Sequence, residues 1–373
     1  MIYLDSAATS LLKPKSVEKA MVAAMQTMAS PGRGAHSAAM LAADKVYECR
    51  ELACRLFNVS DPERVVFTMN ATHALNIAIR SRAKRGDRVV ISGYEHNSVT
   101  RVLHDIGAEV VAVKTPLFDS AAAIEGFRNQ IPSASLVVCN HVSNVFGFKL
   151  PVQEIALICR ENNVPLIIDA SQSAGIDNID FAGLGAAYIA MPGHKGLLGP
   201  QGTGILLCGD VPAPLMSGGT GSDSLEQNMP EYLPDRVEAG THNVVGIAGL
   251  TEGMRYVLNH GAASIGAYEE RLCRRMTEKL QGIRSLEVFS ALNGAQAGVL
   301  SIRHKSINPE AFCAELGRRG VAARCGLHCA PLAHETAGTL NTGTVRLSFS
   351  PFITTEQINS AFRVIESITN TEI

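Results

Sequence analysis

The chain has 373 residues, with 33 lysines and arginines against 35 aspartates and glutamates and a formal net charge of −2. This balance excludes the broad basic surface that binding to nucleic acids or anionic membranes requires. The length exceeds what one compact core usually supports, so we expect about two domains. A small-molecule ligand is then the expected partner.

The N-terminal residues have no cationic segment followed by an apolar stretch, and the sequence contains no apolar run long enough to span a membrane. We therefore expect a cytoplasmic protein. Its nine cysteines are scattered and include no CxxC pair, which argues against a disulfide framework and a zinc ribbon. Most are expected to be small buried hydrophobic residues, and at least one thiol is a candidate for chemistry.

Short β-branched runs alternate with helical patterns after residue 65, which is typical of βαβ units and a largely parallel sheet. Seven strands are expected, at residues 65–68, 87–92, 109–113, 135–140, 165–170, 186–191 and 202–208. Ligands of such sheets bind beyond the carboxyl ends of the strands. Polar residues that follow a strand are therefore the first candidates for chemistry.

The remaining sequence predicts a second, smaller unit after a long connection. Residues 210–240 are rich in proline, glycine and serine and too long for an ordinary loop, which indicates a function or an interface. Helices are expected within 242–281 and at 309–319, strands within 286–303, and a final strand and helix within 344–368. The expected division is an N-terminal segment (1–15) packing near the small domain, a large domain (16–245) and a small α+β domain (246–373).

Two strand ends lead into residues that suggest chemistry. The apolar run 166–168 leads into Asp169, and a buried carboxylate needs either a structural cation or a cationic ligand group. A later strand leads into Lys195, in a turn flanked by Gly193 and Gly196. Such glycines let the backbone approach a ligand, and a lysine in a dry pocket has a lowered pKa and becomes an amine nucleophile. The turn does not have the spacing of a phosphate-binding P-loop.

Nine motifs follow one another along almost the whole chain. They are YLDSAAT (3–9), FTMNATHALN (67–76), EHNS (95–98), HVSN (141–144), DASQ (169–172), GHKG (193–196), EAGT (238–241), GLHCA (326–330) and TVR (344–346). Together they resemble the class V aminotransferase family of pyridoxal-phosphate (PLP) enzymes, and within it the group II cysteine desulfurases and selenocysteine lyases. The resemblance implies the PLP-dependent transferase fold, an α/β architecture with a seven-stranded, mainly parallel sheet and a smaller α+β C-terminal domain.

The resemblance also assigns residues to the cofactor ring. Lys195 would hold PLP (pyridoxal 5'-phosphate) as a Schiff base, and Asp169 would keep the pyridine nitrogen protonated through a charge-assisted hydrogen bond. Gln172 would donate to the phenolic oxygen. His96 would stack on the ring and take part in proton transfer.

The cofactor phosphate is expected where Ala71 and Thr72 open the helix after the first sheet strand. His194 resembles the family's second phosphate contact, and Thr241 resembles the contact from a neighbouring subunit, which implies a homodimer. Pro192 departs from many relatives, which have serine or threonine there, so Thr241 or a water must replace a missing hydroxyl. Thr72 and Thr241 as plain helix N-caps is a competing interpretation.

Two residues are expected to bind the substrate. Arg346 resembles the arginine that grips the α-carboxylate of an amino acid through two hydrogen bonds, and Asn144 would brace the same group. A surface salt bridge is the alternative role for Arg346.

Cys329 matches the thiol of short-loop desulfurases, which removes sulfur from the substrate as a persulfide. Cys325 is a second thiol, expected to be packed in a strand. A zinc site on His328, Cys329 and His334 is disfavoured because no fourth ligand lies nearby at a suitable spacing, so we expect no metal.

The resemblance thus predicts a cysteine desulfurase that converts L-cysteine to L-alanine and leaves the sulfur on Cys329. The sulfur would then pass to an acceptor, and a sulfur-acceptor protein is one candidate partner. A selenocysteine lyase, a cysteine or cystine β-lyase, and a class V aminotransferase or epimerase acting on another amino acid share the scaffold. A non-catalytic sulfur-transfer scaffold with a degenerate site is the alternative outside enzymes.

Overall fold

The computed structural model of the chain describes residues 1–32, 34–222, 224–291 and 294–370. The strands are β1 (Ile2–Tyr3), β2 (Val65–Thr68), β3 (Arg88–Ser92), β4 (Glu109–Val113), β5 (Leu136–Asn140), β6 (Leu166–Asp169), β7 (Tyr188–Pro192), β8 (Gly204–Cys208), β9 (Leu286–Phe289), β10 (Val299–His304), β11 (Val321–Ala322), β12 (Arg324–Gly326) and β13 (Thr344–Ser348). The helices are α1 (Lys15–Thr27), α2 (Ser37–Phe57), α3 (Ala71–Arg82), α4 (Asn97–Ile106), α5 (Ser120–Gln130), α6 (Val152–Glu161), α7 (Phe181–Leu184), α8 (Val244–His260), α9 (Ala262–Leu280), α10 (Pro309–Arg318), α11 (Pro331–Thr336) and α12 (Thr355–Thr369).

One wide sheet contains all seven strands that the β-branched runs predict. Their order across the sheet is β2-β8-β7-β6-β5-β3-β4. The strands β3 to β7 pair in parallel, whereas β8 runs antiparallel to both of its neighbours. Every residue of β5, β6 and β7 is buried, as expected for parallel strands covered on both faces. The expected α/β fold with a mainly parallel seven-stranded sheet is confirmed.

The last predicted strand of this sheet begins later than expected. The sequence pattern starts at residue 202, but Gly202 has a φ of +76° and lies in a turn. β8 therefore begins at Gly204, where the backbone returns to an extended conformation.

A second, antiparallel sheet has the order β12-β13-β10-β9. Helices α9, α10 and α12 pack around it over a separate hydrophobic core that includes Leu300, Leu347 and Ile358. The helical stretch expected within 242–281 is two helices, because Gly261, with a φ of +79°, separates α8 from α9.

The N-terminal residues contact this second sheet. β1 pairs in parallel with β11, and the amide N of Ser348 donates to the carbonyl oxygen of Leu4 at 2.8 Å. The domain divisions at residues 15 and 245 stay a prediction. Residues 33 and 223 of the predicted large domain and residues 292, 293 and 371–373 of the predicted small domain lie outside the described part. Within the described residues, no helix combines the length and the apolar character needed to cross a membrane.

The long connection between β8 and α8 contains no helix or strand within its described residues, 210–222 and 224–240. Its end is anchored by Glu238, a buried carboxylate that pairs with Arg50 of α2 at 2.6 Å. The amide N of Phe67 also donates to Glu238, at 2.5 Å. Glu238 thereby joins the connection to β2 and to the helix layer beside it.

Candidate active site

A cavity of about 110 Å³ lies beyond the carboxyl ends of the central parallel strands. Strands β3, β5, β6 and β7 all end at this edge, so the residues that follow them converge there. Eight predicted site residues line the cavity: Ala71, Thr72, His96, Asn144, Asp169, Gln172, His194 and Lys195. Arg346, Cys329 and Thr241 lie outside this lining.

Lys195 follows β7 in a turn that depends on close backbone contacts. A side chain at Gly196 would collide with the carbonyl oxygen of Ala174, and one at Gly175 would collide with that of Gly196. Because both positions are glycines, the turn packs directly against the segment that follows β6. Lys195 and Asp169 are brought to the same cavity in this way.

The environment of Lys195 favours its neutral amine. Burial lowers the pKa of Lys195 to about 8, and the positive charges of Arg346 and Arg324 act in the same direction. The carboxylate of Asp169 opposes the shift. A larger fraction of this side chain than of an ordinary lysine is therefore uncharged near neutral pH, as an amine nucleophile requires.

Asp169 is a buried carboxylate that lines the cavity. Its Oδ1 accepts a hydrogen bond from the amide N of Ser171 at 2.9 Å. No ion pair joins it to a lysine, arginine or histidine in the part of the chain that the structure describes. The carboxylate therefore suits a cationic group on a ligand.

Glu95 is a second buried carboxyl beneath the cavity, to which the sequence assigned no role. Its Oε1 accepts hydrogen bonds from Ser92 Oγ at 2.6 Å and from the amide N of Asn140 at 2.7 Å. Burial raises the pKa of Glu95 to about 8, and the charge of Asp169 adds to the shift. Glu95 is therefore held mainly in its protonated form and ties β3 to β5 under the site.

His96 is fixed as a neutral imidazole at the start of α4. Its Nδ1 accepts a hydrogen bond from the amide N of Ser98 at 3.0 Å, so the ring proton is on Nε2. Burial lowers the pKa of His96, although Asp169 opposes the shift. The hydroxyl of Ser98 lies 2.9 Å from the same Nδ1 and 2.8 Å from Thr72 Oγ1, which links His96 to α3.

Neither threonine of the expected phosphate site is a helix N-cap. Asn70 caps α3, with its Oδ1 accepting from the amide N of His73 at 2.9 Å, and Asn243 caps α8. The N-cap interpretation of Thr72 and Thr241 is therefore wrong. Thr72 instead lies in the first turn of α3, where backbone N–H groups have no partner within the helix.

His194 is held by the N-terminal segment. Its Nδ1 lies 3.1 Å from Thr9 Oγ1, and its carbonyl oxygen accepts from the amide N and the Oγ of Ser10, both at 3.0 Å. Burial and the neighbouring Lys195 lower the pKa of His194 to about 4, so the ring is neutral at pH 7. Pro192 also lines the cavity, where it offers no hydroxyl.

Thr241 does not line the Lys195 cavity of its own chain. It is exposed and borders a different cavity of about 710 Å³, which is also lined by residues of α2. The neighbouring His242 lies 2.5 Å from the carboxylate of Glu238, so the loop is anchored to the buried pair of Glu238 and Arg50. Within one chain, Thr241 is thus separate from Lys195.

Arg346 is buried in β13, with 2% of its surface exposed. Its Nη2 lies 2.8 Å from Asp5 Oδ1, and its Nη1 donates to the carbonyl oxygen of Asn144 at 2.9 Å. Its Nε has no hydrogen-bond partner among the residues that the structure describes. The surface-salt-bridge alternative is wrong, and a buried guanidinium with an unused donor suits an anionic ligand group.

Two predicted contact residues use one amide N–H within the protein. Asn144 Nδ2 donates to the carbonyl oxygen of His328 at 2.8 Å, and Gln172 Nε2 donates to that of Ala7 at 2.9 Å. Each amide group has a second N–H. The side chains can therefore keep these bonds and still donate to a ligand in the cavity.

Cys329 has an exposed thiol on the loop between β12 and α11. The backbone of this loop is bonded to the cavity walls, because the amide N of Asn97 donates to the carbonyl oxygen of Cys329 at 2.8 Å. The adjacent carbonyl, of His328, accepts from Asn144. The backbone of Cys329 is thus bonded to the first residue of α4, which directly follows His96 in the chain.

Cys325 and the histidines near this loop were also candidates for chemistry. Cys325 is partly buried in β12 against the core of the small sheet, and its thiol contacts Cys313 of α10, as a packed strand residue would. Among the described residues, no group of three or more histidine, cysteine, aspartate or glutamate side chains is arranged to hold a metal ion.

The sequence did not predict a role for two charged residues of the site. Asp5 pairs with Arg346 although its motif gave no hint of that contact. Arg324 lies directly opposite Arg346 in the antiparallel pair of β12 and β13, an unfavourable arrangement of like charges. Burial is the largest cause of the lowered pKa of Lys195 and of His96, and the positive charge of Arg324 lowers both pKa values further. Arg324 therefore acts electrostatically on groups in the cavity.

The family described as Aminotransferase class-V matches residues 2–360 of this chain. The chain belongs to the class V aminotransferase family. A probable cysteine desulfurase of Methanothermobacter thermautotrophicus is 32% identical over 98% of this chain and 94% of its own length. A probable cysteine desulfurase of Pyrococcus abyssi is 31% identical over 99% of this chain and 94% of its own length.

Solved structures of the family superpose on the whole chain. The apo cysteine desulfurase of Thermococcus onnurineus NA1 has a TM-score of 0.91 at 31% identity and covers 99% of this chain and 94% of its own. The cysteine desulfurase CsdA of Escherichia coli has a TM-score of 0.85 at 24% identity, over 98% of this chain and 94% of its own, which supports the fold.

Proposed function

We propose that the protein is a PLP-dependent cysteine desulfurase, which converts L-cysteine to L-alanine and transfers the sulfur to Cys329. The observation behind this proposal is the backbone bonding of the Cys329 loop to Asn97 and Asn144, at the cavity that contains Lys195. A thiol delivered to an amine nucleophile and a buried carboxylate is the arrangement that sulfur removal needs. The desulfurase names of the relatives support the same assignment.

The residues of the cavity fit PLP by their chemistry. Asp169 is buried and lacks a cationic partner among the described residues, so it can hold a protonated pyridine nitrogen. Lys195 would attach to the aldehyde carbon through Nζ, and Gln172 would donate its second N–H to the phenolic oxygen. Thr72 and the open amides at the start of α3, which begins at Ala71, would bind the phosphate together with His194, which lines the same cavity. When bound, PLP supplies an electron sink for the charge left at the substrate's α-carbon.

The substrate would be oriented by its carboxylate. Arg346 has a planar guanidinium whose Nε is unpaired within the described part of the chain, which suits bidentate binding of a carboxylate. Asn144 contacts Arg346 through its carbonyl oxygen and can add an amide N–H from the same side. The β-carbon and sulfur of the bound cysteine would then point to the Cys329 loop.

Protons and sulfur would be moved by three side chains. Lys195 Nζ, neutral in part near pH 7, takes the proton from the α-carbon, and the Nε2–H of His96 is the second candidate for proton transfer. The thiolate of Cys329 forms an S–S bond to the substrate sulfur while the bond from that sulfur to the β-carbon breaks. The electron pair of the broken bond passes to carbon, which takes a proton to give alanine, so no external oxidant or reductant is needed.

We infer a homodimer in which Thr241 reaches the phosphate site of the partner subunit. The support is that Thr241 is exposed, firmly anchored through Glu238, and outside the Lys195 cavity of its own chain. A cytoplasmic location fits a chain whose cysteines, as far as described, are free thiols. We also propose that residue 245 divides the chain into a large and a small domain.

Product identification tests the function. The purified protein should be yellow and convert L-cysteine to alanine with matching release of sulfide in the presence of a thiol reductant. Cys329→Ala should abolish both products, Cys325→Ala should leave both, and Lys195→Ala should lose the colour and the activity. Pyruvate in place of alanine would identify a β-lyase, and an oxo acid would identify an aminotransferase.

Two further outcomes separate the remaining alternatives. Selenide release from selenocysteine that survives Cys329→Ala, with no activity on cysteine, would identify a selenocysteine lyase. A colourless protein with no product from any amino acid would support a non-catalytic scaffold.

A further inference from the structure

Two buried imidazoles, one in the Cys329 loop and one in the helix that follows it, face each other. His328 is 5% exposed and His334 of α11 is 0% exposed. His328 Nδ1 lies 3.4 Å from His334 Nε2, and the ring planes differ by 15°, which suits an in-plane N–H···N bond. His328 Nε2 lies 3.3 Å from the carbonyl oxygen of Arg324, and His334 Nδ1 lies 2.7 Å from Thr339 Oγ1.

The two imidazoles form a chain of hydrogen bonds from Thr339 to Arg324. The direction of each bond can be assigned by starting from the carbonyl oxygen of Arg324. The carbonyl oxygen of Arg324 only accepts, so His328 Nε2 must carry a proton. In a neutral ring His328 Nδ1 is then an acceptor, and His334 Nε2 must donate to it. His334 Nδ1 is left as an acceptor for the hydroxyl of Thr339. A single arrangement, running from Thr339 through His334 and His328 to Arg324, satisfies every atom with both rings neutral.

The surroundings of the two rings favour neutrality. Burial lowers the pKa of His328 to about 2, with the charges of Arg346 and Arg324 acting in the same direction. Burial lowers the pKa of His334 to about 4, and Phe146 packs against its ring at 5.7 Å between centroids. The charged groups that face His328 are thus both cationic.

The Cys329 loop has a strained backbone. His328 and Cys329 are consecutive non-glycine residues in the left-handed region, with φ of +51° and +56°. Each such residue is unfavourable, and it persists only where surrounding contacts hold it. The side chain of His328 provides one of those contacts, and the Asn144 and Asn97 bonds to the loop carbonyls provide the others.

We propose that His334 is a positioning residue for Cys329: by donating to His328, it fixes the ring that holds the Cys329 loop in its left-handed conformation. The inference rests on the proposed function, since it concerns the thiol that would take the sulfur. Without the donor at His334, His328 can exchange its tautomer or rotate, and the bond to Arg324 is lost. The loop then relaxes to ordinary backbone angles and the thiol moves away from the cavity.

Variants of His334 separate positioning from simple packing. Gln at this position keeps an N–H donor towards His328 and an acceptor towards Thr339, whereas Leu keeps only the volume. His334→Leu should slow persulfide formation by roughly tenfold or more, as the loss of one held left-handed residue implies. His334→Gln should restore most of the rate. His304→Leu, a change of a partly buried histidine at the end of β10, is the matched control and should have no effect.

The decisive readouts do not depend on sulfur chemistry. In the wild-type protein without cofactor, ¹⁵N NMR should show both His328 and His334 as neutral Nε2–H tautomers from pH 5 to 8. The alkylation rate of Cys329 by iodoacetamide should change in His334→Leu and return in His334→Gln. The rate of α-proton exchange of L-alanine, which needs Lys195 but not Cys329, should be equal in all three proteins.

An Nδ1–H tautomer at His328, titration of either ring near pH 6.5, or equal persulfide rates in His334→Leu and His334→Gln would overturn the proposal. A wild-type protein that forms no persulfide would refute the proposed function instead. The tautomer measurement would still test the hydrogen-bond chain in that case, even if His334→Leu fails to fold.

Discussion

The guanidinium of Arg346 and the carboxylate of Asp5, 341 residues apart in the chain, form an ion pair of 2.8 Å beside the cavity. The pair joins the N-terminal segment to β13 of the small sheet. Nη2 is used by Asp5 and Nη1 by the carbonyl oxygen of Asn144, whereas Nε has no partner in the described ranges of the chain, so the Nε side of the guanidinium is the one left for a ligand.

Arg346→Lys should therefore raise the KM for cysteine by about tenfold to a hundredfold, because a lysine cannot form two parallel hydrogen bonds with a carboxylate. Steady-state kinetics measure the change. Arg303→Lys, at a partly buried position in β10 away from the cavity lining, is the control. An unchanged KM for Arg346→Lys would show that the carboxylate binds elsewhere.

The titration of Lys195 can be followed in the protein without cofactor. Because burial lowers the pKa of Lys195 to about 8, its rate of reductive methylation should rise through a midpoint near pH 8, well below the ordinary lysine value of 10.5. Asp169→Asn removes a charge that raises this pKa, so the midpoint should move lower still. Peptide mass spectrometry of the modified protein gives the rate at Lys195 alone, and a midpoint near 10.5 would contradict the buried environment.

Glu269 of α9 should make stability depend on pH. It is 6% exposed, and burial, with the charge of Glu270, raises its pKa well above the ordinary value of 4.5. Between pH 4.5 and that raised pKa the folded state binds more protons than the unfolded state, so stability falls as pH rises, by at most about 1.4 kcal/mol per pH unit for one group. Glu269→Gln should reduce this slope, and Glu278→Gln, exposed on the same helix, should leave it. Urea unfolding at several pH values measures the slopes, and equal slopes in Glu269→Gln and wild type would contradict the assignment.

The buried pair of Glu238 and Arg50 should matter far more than a surface pair. Glu238→Gln leaves Arg50 buried without a counter-charge, which costs about 3–5 kcal/mol. Glu287→Gln breaks the surface pair with Arg303 and should cost less than about 1 kcal/mol. Thermal unfolding of the two variants compares the costs, and similar losses would refute a special role for Glu238 in anchoring the Thr241 loop.

The seven strands of the large sheet could be predicted from sequence because each is a short β-branched run bounded by turn residues. The positions of Asp169 and Lys195 followed, since parallel strands bring their carboxyl ends to one edge. The start of β8 was predicted two residues too early, because the sequence does not distinguish Gly202 in a left-handed turn from the first residue of the strand.

Contacts between distant segments could not be predicted. The pairs Asp5–Arg346 and Arg50–Glu238 join residues 341 and 188 positions apart, and neither sequence spacing nor residue type selects the partner. Local preference misled at Thr72 and Thr241, because a nearby asparagine caps each helix instead. The contact of His328 with His334, only six residues away, depends on the left-handed backbone of His328 and Cys329, which residue type does not predict.

The central claim is that Cys329 receives the sulfur at the Lys195 site, and mass spectrometry of the protein after one turnover with L-cysteine in the absence of reductant tests it most directly. The account predicts that the peptide containing Cys329 gains one sulfur atom, that the peptides of the other cysteines do not, and that Lys195→Ala prevents the gain. Alanine formed without added sulfur on Cys329, or added sulfur on a different cysteine, would contradict it.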